Sequence, residues 1–207
     1  MMYYGARILT EIGQSEYAVW PESANTQSMD IIDHRITDAT YIPSPNCNER
    51  PEGEISLLVI HNISLPPGQF GGGHVTELFT NRLDPDEHPY FAEIQGMEVS
   101  AHLLIERDGT MTQFVPFDRR AWHAGKSIFE GREACNDFSI GIELEGTDHT
   151  PYTDAQYEAL AVVTRALMRA YPQLTKDRIT SHSNIAPGRK TDPGSVFDWS
   201  RYRRSLG

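Results

Sequence analysis

The sequence predicts one α/β domain with a central mixed β-sheet flanked by helices. Three observations favour this fold class: an apolar run typical of a buried strand, a β-hairpin with a clear turn, and a long amphipathic helix with a capping signal. The chain has 207 residues, of which 39% are hydrophobic, and this is enough for one sizeable core. We expect residues 1–40 to form an N-terminal extension, partly outside the domain, and residues 41–207 to form the domain itself.

The first strand is expected at residues 55–62, a continuous apolar run that ends in His-Asn. The Gly- and Pro-rich segment 64–73 then predicts a loop, and a short helix is expected within residues 74–83. Residues 84–91 contain prolines and acidic residues and predict a second loop. The end of the first strand is therefore expected at a loop-rich edge of the sheet.

A β-hairpin is expected at residues 100–117, because two apolar segments flank the turn sequence Arg107-Asp108-Gly109. Residues 138–146 predict a further strand, in which isoleucine and leucine alternate with glycine and glutamate. This alternation is typical of a half-buried strand, so Glu143 and Glu145 are expected to share one solvent-facing side.

The longest helix is expected to begin at Thr153, which forms a capping box with Gln156. Apolar residues then recur at helical spacing as far as Pro172, which ends the helix. A strand at residues 178–182 and a short helix at residues 198–206 are expected to complete the domain. Strands and helices are thus mixed along the chain, with one antiparallel hairpin and at least one long helix.

The composition excludes several functional classes. The formal net charge is −11, and a protein that binds a phosphate backbone needs the opposite sign, so nucleic acid is not an expected partner. The apolar runs are far shorter than the ~20 residues that cross a bilayer, so membrane insertion is not expected. Residues 1–28 show no secretory signal and no pattern that predicts a function, and Cys47 and Cys135 form no disulfide framework. These observations favour the cytoplasm.

Two histidines follow predicted strands at the point where each strand enters a Gly- and Pro-rich loop. His61 ends the first strand region, His182 ends the last one, and Asp192 follows in the same loop as His182. Two imidazoles and one carboxylate, with a fourth position left open, are typical of catalytic zinc sites. No pair has the helical spacing of an HExxH motif, so the spacing leaves open the alternative that these are ordinary polar loop residues.

Further side chains are candidates for chemistry beside such a site. A carboxylate can take a proton from the attacking water and return it to a leaving nitrogen, but the strand pattern does not choose between Glu143 and Glu145. Lys190 lies two residues before Asp192, where its ammonium could stabilise an oxyanion. These roles compete with the simpler interpretation of solvated surface charges. His123 follows a tryptophan and precedes a flexible loop, a position that suits contact with a ligand.

Five segments together resemble the zinc-dependent N-acetylmuramoyl-L-alanine amidases, and they cover the chain from about residue 41 to residue 200. In order they are "LLVIHNISLPPGQFGG" (57–72), "SAHLLIERDG" (100–109), "RAWHAGKS" (120–127), "NDFSIGIELEGTD" (136–148) and "HSNIAPGRKTDPG" (182–194). Within this family the chain is most similar to the AmpD type, the cytosolic amidases that act on 1,6-anhydro-muropeptides in peptidoglycan recycling. The resemblance implies the mixed sheet and flanking helices of the family.

The resemblance also implies a role for each residue that matches a family motif. The implied ligands of a single zinc ion are His61, His182 and Asp192. Glu143 is implied to be the base that activates water, and Lys190 is implied to stabilise the transition state. These are the residues that the spacing alone left uncertain.

Two positions distinguish this chain from other amidases of the same fold. Phage-type amidases and peptidoglycan recognition proteins carry a tyrosine before the residue that matches His102, whereas this chain has Ala101. They often use a cysteine as the third zinc ligand, where this chain has Asp192. Both features are similar to the AmpD type, in which the glutamate that matches Glu143 acts as the base.

The resemblance therefore implies a zinc hydrolase that cleaves the amide between (1,6-anhydro-)N-acetylmuramic acid and L-alanine of muropeptides. Its implied partner is an anhydro-muropeptide, and its implied location is the cytoplasm. We expect Asn62, Trp122 and His123 to line the groove for sugar and peptide, with residues 64–90 as a possible lid. The alternatives are a non-catalytic muropeptide-binding module on the same scaffold and an amidase that acts on polymeric cell wall.

Overall fold

The computed structural model describes residues 29–207 of the chain. Its strands are β1 (Ile31–Ile32), β2 (Arg35–Ile36), β3 (Thr40–Tyr41), β4 (Cys47–Glu49), β5 (Leu57–Ile63), β6 (Leu103–Ile105), β7 (Met111–Gln113), β8 (Arg119–Ala121), β9 (Ile128–Phe129), β10 (Arg132–Glu133), β11 (Ser139–Glu145) and β12 (Ile179–Ser181). Its helices are α1 (His74–Phe79), α2 (Pro89–Glu93), α3 (Asp154–Ala170), α4 (His182–Ile185) and α5 (Trp199–Ser205).

A six-stranded sheet in the order β12-β5-β11-β6-β7-β3 forms the centre of the fold. Strands β12, β5, β11 and β6 are mutually parallel, β7 runs antiparallel to β6, and β3 runs parallel to β7. The predicted α/β fold with a central mixed sheet is confirmed. Because the carboxyl ends of parallel strands meet at one edge of a sheet, this edge is where an α/β protein presents functional groups.

Strand β11 is buried along its whole length, which corrects the expectation that its glutamates face solvent. All seven residues, Ser139–Glu145, are buried. The strand lies between β5 and β6 in the parallel part of the sheet, where both faces are covered. Its alternating pattern therefore separates an apolar core on one face from a buried polar environment on the other.

The main core lies between one face of the sheet and helices α3 and α5. It includes Leu58, Ile60, Ile140, Ile142, Leu144, Leu160, Leu167 and Tyr202. On the other face, one smaller cluster contains residues of α1, α2, β6 and the segment after β7, namely Val75, Phe79, Phe91, Leu104 and Phe114. A second contains Leu57, Val59, Ala124, Cys135, Phe138 and Ile185. His61 and Glu143 belong to this other face, because they alternate with core residues along β5 and β11.

The predicted hairpin and long helix are confirmed. The turn between β6 and β7 is closed by a hydrogen bond from the amide of Gly109 to the carbonyl of Glu106 at 2.9 Å. Helix α3 begins after Thr153, whose hydroxyl accepts a hydrogen bond from the amide of Gln156 at 3.1 Å. The side chain of Gln156 accepts one in return from the amide of Thr153, also at 3.1 Å. The helix ends two residues before Pro172.

Two short helices lie where loops were expected. Helix α2 begins inside residues 84–91, and the ring of His88 caps it by accepting a hydrogen bond from the amide of Tyr90 at 3.1 Å. Helix α4 is a single turn that begins at His182, and the hydroxyl of Ser181 caps it. Helices this short depend on capping and tertiary contacts rather than on hydrophobic periodicity, so the sequence pattern did not indicate them.

The first described residues pack against the domain. Met29 and Ile36 belong to the main core, and β3 is the edge strand of the central sheet. The division into an extension at 1–40 and a domain at 41–207 stays a prediction, and residues 1–28 lie outside the described part of the chain. None of the helices within residues 29–207 is both long and apolar enough to cross a membrane.

Candidate active site

Three side chains from distant parts of the chain converge at the carboxyl ends of β5 and β12. Nδ1 of His61 lies 2.9 Å from Nδ1 of His182 and 3.1 Å from Oδ2 of Asp192, and Nδ1 of His182 lies 3.0 Å from the same oxygen. The two strands pair in parallel, so the residue after β12 comes beside His61 on β5. Both rings are buried, with exposed fractions of 1% and 4%. The three residues predicted as metal ligands are therefore in mutual contact.

The loop that carries Asp192 is held close to the start of helix α4. The amide of Ser183 donates a hydrogen bond to the carbonyl of Asp192 at 3.0 Å. Gly194 follows with a φ of +81°, and a Cβ at this position would lie 2.3 Å from the Cα of Asp148. The left-handed backbone and the close approach both require glycine there. The Gly- and Pro-rich composition of this loop thus serves to bring Asp192 back to His182.

The hydrogen bonds of His182 direct one of its lone pairs toward the other two side chains. Its Nε2 lies 3.2 Å from the carbonyl oxygen of Ala124, which can only accept, so Nε2 carries the proton and Nδ1 has a free lone pair. The carboxylate of Asp192 is likewise an acceptor. Two imidazole nitrogens and one carboxylate oxygen, 2.9–3.1 Å apart, are a donor set that fits a divalent cation such as zinc.

His61 is in the protonation state that a metal requires. Burial lowers the pKa of His61 to about 4, although its hydrogen bond with Asp192 opposes the shift, so the ring is neutral at pH 7. Its second nitrogen, Nε2, lies 2.9 Å from Nδ1 of His123. Burial also lowers the pKa of His123 well below its usual value. Two neutral rings therefore stand in contact behind the metal-binding atoms.

Glu143 lies beside this group with one carboxylate oxygen unpaired. It is the register partner of His61 on the neighbouring strand, and its Oε1 is 4.0 Å from Nδ1 of His61. Its Oε2 is buried and has no hydrogen-bond partner among the described residues. Burial, followed by the charge of Asp192, raises the pKa of Glu143 well above its usual value, and Lys190 partly opposes this. An unpartnered buried oxygen is costly, which indicates that water or a ligand completes the site.

Glu145 has a different role from Glu143, although both are buried on the same face of β11. One of its oxygens accepts a hydrogen bond from the amide of Gly71, and the other accepts one from the amide of Arg107 at 3.3 Å. The first contact holds the loop after β5 and the second holds the hairpin turn. Glu145 is therefore a structural acceptor whose oxygens both have partners.

A cavity of about 370 Å³ opens in front of the converging side chains. Its walls include every residue predicted for catalysis or substrate binding and two of the three predicted ligands: Asn62, Trp122, His123, Glu143, His182, Lys190 and Asp192. The segment between β5 and β6 also lines this cavity, through Leu65, Pro67, Leu78, Phe79 and Tyr90. The predicted site residues are thus brought to one cavity, and their individual roles stay predictions.

Hydrogen bonds fix two of the cavity-lining side chains. The amide nitrogen of Asn62 donates to Oδ1 of Asp148 at 2.9 Å. The indole nitrogen of Trp122 donates to Oδ1 of Asn48 at 2.7 Å. These side chains are held in place before a ligand arrives, which favours binding because less conformational freedom is lost.

The sequence pattern did not indicate several residues that support the site. Asn136 is buried, and its side-chain oxygen accepts hydrogen bonds from the amides of His123 and Ala124. Ser139 contacts Nε2 of His123 at 3.2 Å. His102 is fully buried and accepts a hydrogen bond from the amide of Gly141 at 3.0 Å. Single buried polar residues leave no periodic signal in a sequence.

One protein-family profile matches a segment of the chain that includes all the candidate site residues. The profile of the N-acetylmuramoyl-L-alanine amidase family matches residues 51–195, which is more than half of the chain. The chain belongs to the N-acetylmuramoyl-L-alanine amidase family. The resemblance seen in the five sequence segments is therefore confirmed at the level of the family.

Individual amidases are similar over most of the chain. The 1,6-anhydro-N-acetylmuramyl-L-alanine amidase AmpD of Enterobacter cloacae is 62% identical over 172 residues, which cover 83% of this chain and 91% of that protein. A crystal structure of a selenomethionine AmpD derivative superposes with a TM-score of 0.83 at 57% identity and covers 86% of this chain and 99% of that chain. A crystal structure of AmpDh3 from Pseudomonas aeruginosa in complex with anhydromuramic pentapeptide superposes with a TM-score of 0.56 at 25% identity. The match covers 80% of this chain and 63% of that chain.

The geometry offers this amidase the groups that amide hydrolysis needs. A buried donor set can hold a metal ion, a carboxylate with a free oxygen stands beside it, and Lys190 supplies positive charge at the cavity wall. Water activation, proton transfer to the leaving nitrogen and stabilisation of the carbonyl oxygen require these three kinds of group. The arrangement is therefore that of a hydrolase rather than of a simple binding cleft.

Proposed function

We propose that this amidase hydrolyses the amide between 1,6-anhydro-N-acetylmuramic acid and L-alanine in muropeptides released during peptidoglycan recycling. The AmpD of Enterobacter cloacae is named for this activity, and AmpDh3 binds an anhydromuramic pentapeptide. The observation that carries the proposal is the contact between His61, His182 and Asp192 with Glu143 beside them, at the wall of one cavity. A binding module would need neither the donor set nor the unpaired carboxylate oxygen.

The proposed cofactor is one zinc ion, held by His61, His182 and Asp192. When bound, zinc supplies a Lewis acid and lowers the pKa of water toward about 7. The two imidazoles, the carboxylate and the burial of both rings support this choice. Three protein donors leave a position free for water or substrate, as catalytic zinc sites require.

Glu143 is the proposed proton carrier. Its unpaired Oε2 accepts a proton from the attacking water and then delivers it to the nitrogen of the leaving alanine. Burial raises the pKa of Glu143 well above its usual value, which makes its carboxylate a stronger base. Lys190, at the cavity wall, stabilises the negative charge that develops on the amide oxygen.

Asn62, Trp122 and His123 are the proposed substrate contacts. Asn62 and Trp122 present a fixed amide and a fixed aromatic ring to the cavity, a combination that suits an N-acetylated sugar joined to a peptide. Residues 64–90 contribute to the cavity wall and are the proposed lid. The proposed location is the cytoplasm, because the recycled anhydro sugar is processed there and both cysteines of the chain are free thiols.

The proposal is tested by giving purified protein an equal mixture of anhydro- and non-anhydro-muropeptides and following the products by mass spectrometry. The expected result is release of free peptide, faster from the anhydro form, that stops when a zinc chelator is added. Binding without release would replace the proposal with a recognition module. Equal cleavage of both substrates would instead favour an amidase of the polymeric wall.

A further inference from the structure

Two adjacent residues contact both proposed zinc histidines on the side away from Asp192. Nδ1 of His123 lies 2.9 Å from Nε2 of His61, and the carbonyl oxygen of Ala124 lies 3.2 Å from Nε2 of His182. The Nδ1 atoms of both proposed ligands face Asp192. Two consecutive residues, His123 through its side chain and Ala124 through its main-chain carbonyl, therefore contact the far nitrogens of the two rings.

These contacts determine where the ring protons lie when a metal is bound. The carbonyl of Ala124 accepts a proton from Nε2 of His182, which leaves Nδ1 of that ring free. For Nδ1 of His61 to be free as well, its Nε2 must carry the proton and needs an acceptor, which Nδ1 of His123 supplies. The remaining proton of His123 then lies on Nε2, 3.2 Å from the hydroxyl of Ser139. With a metal on both Nδ1 atoms, each ring therefore has one tautomer that satisfies these contacts.

Asn136 holds the main chain of His123 and Ala124 in position. Its side-chain oxygen accepts hydrogen bonds from the amide of Ala124 at 2.8 Å and from the amide of His123 at 3.2 Å. It is 6% exposed and does not belong to the walls of the cavity, so it does not meet the substrate there. Gly141 completes the arrangement, because a Cβ on this residue would lie 2.4 Å from Cγ of His123.

We propose that Asn136 is a positioning residue. It fixes the main chain at His123 and Ala124 and thereby sets the tautomer and orientation of both metal-binding histidines. Asn136 would thereby increase the zinc affinity of the site, although it touches neither zinc nor substrate. Partners in the outer shell of metal sites typically contribute about 10- to 100-fold in metal affinity. The inference rests on the proposed zinc centre and extends it to a residue with no predicted role.

The test compares zinc affinity in the substrate-free protein by competition with a chromophoric chelator. Asn136→Leu and Asn136→Ala remove the acceptor, whereas Asn136→Asp keeps an oxygen for both amides. His123→Phe removes the acceptor for His61, whereas His123→Asn keeps a polar atom near the position of Nδ1. We expect Asn136→Leu, Asn136→Ala and His123→Phe to bind zinc about 10- to 100-fold more weakly than the wild-type protein. Asn136→Asp and His123→Asn should recover zinc affinity toward the wild-type value.

A purely structural role of Asn136 is distinguished by two further measurements. The melting temperature of the zinc-free variants reports folding, and two-bond 1H–15N spectra of the imidazole rings report the tautomers of His61 and His182. Wild-type zinc affinity and unchanged tautomers in folded Asn136→Leu and Asn136→Ala would overturn the inference. An absence of zinc binding by the wild-type protein would instead overturn the proposed zinc centre, so the two failures are distinct.

Discussion

Glu143 and Glu145 have the same chemistry, lie two positions apart and are both buried on one face of β11, but their partners assign them different tasks. Both oxygens of Glu145 accept backbone amide protons from Gly71 and Arg107. The Oε2 of Glu143 has no partner in the described part of the chain. From the alternating strand pattern the two positions are equivalent, so the structure was needed to show that Glu145 anchors two loops whereas Glu143 keeps a free oxygen, as its proposed role requires.

We expect Glu143→Gln to lower kcat by at least about 10²-fold, because a positioned acid–base group usually contributes that much. The variant should retain its zinc, since Glu143 is not one of the three proposed ligands. The matched control is Glu145→Gln, which keeps one acceptor oxygen and leaves one backbone amide unpaired, at a cost of about 1–3 kcal/mol in stability. Steady-state kinetics, zinc content and melting temperature are the measurements. Turnover by Glu143→Gln at the wild-type rate would remove Glu143 from the mechanism.

Position 141 requires glycine because the ring of His123 packs against it, and not because of its backbone conformation. A Cβ there would lie 2.4 Å from the ring of His123, so we expect Gly141→Ala to displace that ring and to destabilise the protein by about 1–3 kcal/mol. Ser139→Ala, on the same strand face, removes the hydroxyl that contacts Nε2 of His123 without adding an atom, so it separates loss of that contact from steric displacement of the ring. Denaturant unfolding and zinc affinity measure both effects. Equal stability and zinc affinity of Gly141→Ala and the wild-type protein would contradict the packing described for His123.

The elements that place the site are the parallel strands β12, β5 and β11. His61 on β5 pairs in register with Glu143 on β11, and His182 directly follows β12 on the other side. The sequence predicted these strands and the long helix because their patterns extend over many residues. It did not predict α2 and α4, or the burial of β11 on both faces, because these features depend on what packs against the segment.

The capping box of α3 also anchors the hairpin turn. The hydroxyl of Thr153 accepts from the amide of Gln156 at 3.1 Å and donates to the carbonyl of Arg107 at 2.6 Å. We expect Thr153→Ala to lower stability by about 0.5–2 kcal/mol. Thr153→Ser keeps the hydroxyl and should remain close to wild type. Chemical denaturation checks both variants, and a Thr153→Ala protein as stable as Thr153→Ser would show that the cap contributes little.

At the scale of the whole molecule, the main core and the candidate active site lie on opposite faces of the sheet. The core packs against α3 and α5, whereas the site is built from the carboxyl ends of strands and from the loops that follow them. The pattern of apolar residues predicted the core, and the resemblance to a family predicted the ligands. The supporting contacts of Asn136 and Glu145 could not be predicted, because each joins segments that are distant in the sequence.

A metal held by these residues would connect β5, the start of α4 and the loop that contains Asp192. We therefore expect zinc to raise the melting temperature, because a ligand that binds the folded state stabilises it by about 2.7 kcal/mol at a hundred times its Kd. Asp192→Ala should lose this zinc-dependent increase, and Asp198→Ala, outside the site, should keep it. Thermal unfolding with zinc and with chelator measures the difference. An equal zinc response in both variants would place the stabilising ion elsewhere.

The most direct test of the account is a crystal structure of the zinc-loaded protein with anomalous data collected on both sides of the zinc absorption edge. We expect one strong peak within bonding distance of Nδ1 of His61, Nδ1 of His182 and Oδ2 of Asp192, with the carboxylate of Glu143 beside it. No peak at that position, or a peak held by other residues, would contradict the proposed zinc centre and the mechanism that depends on it.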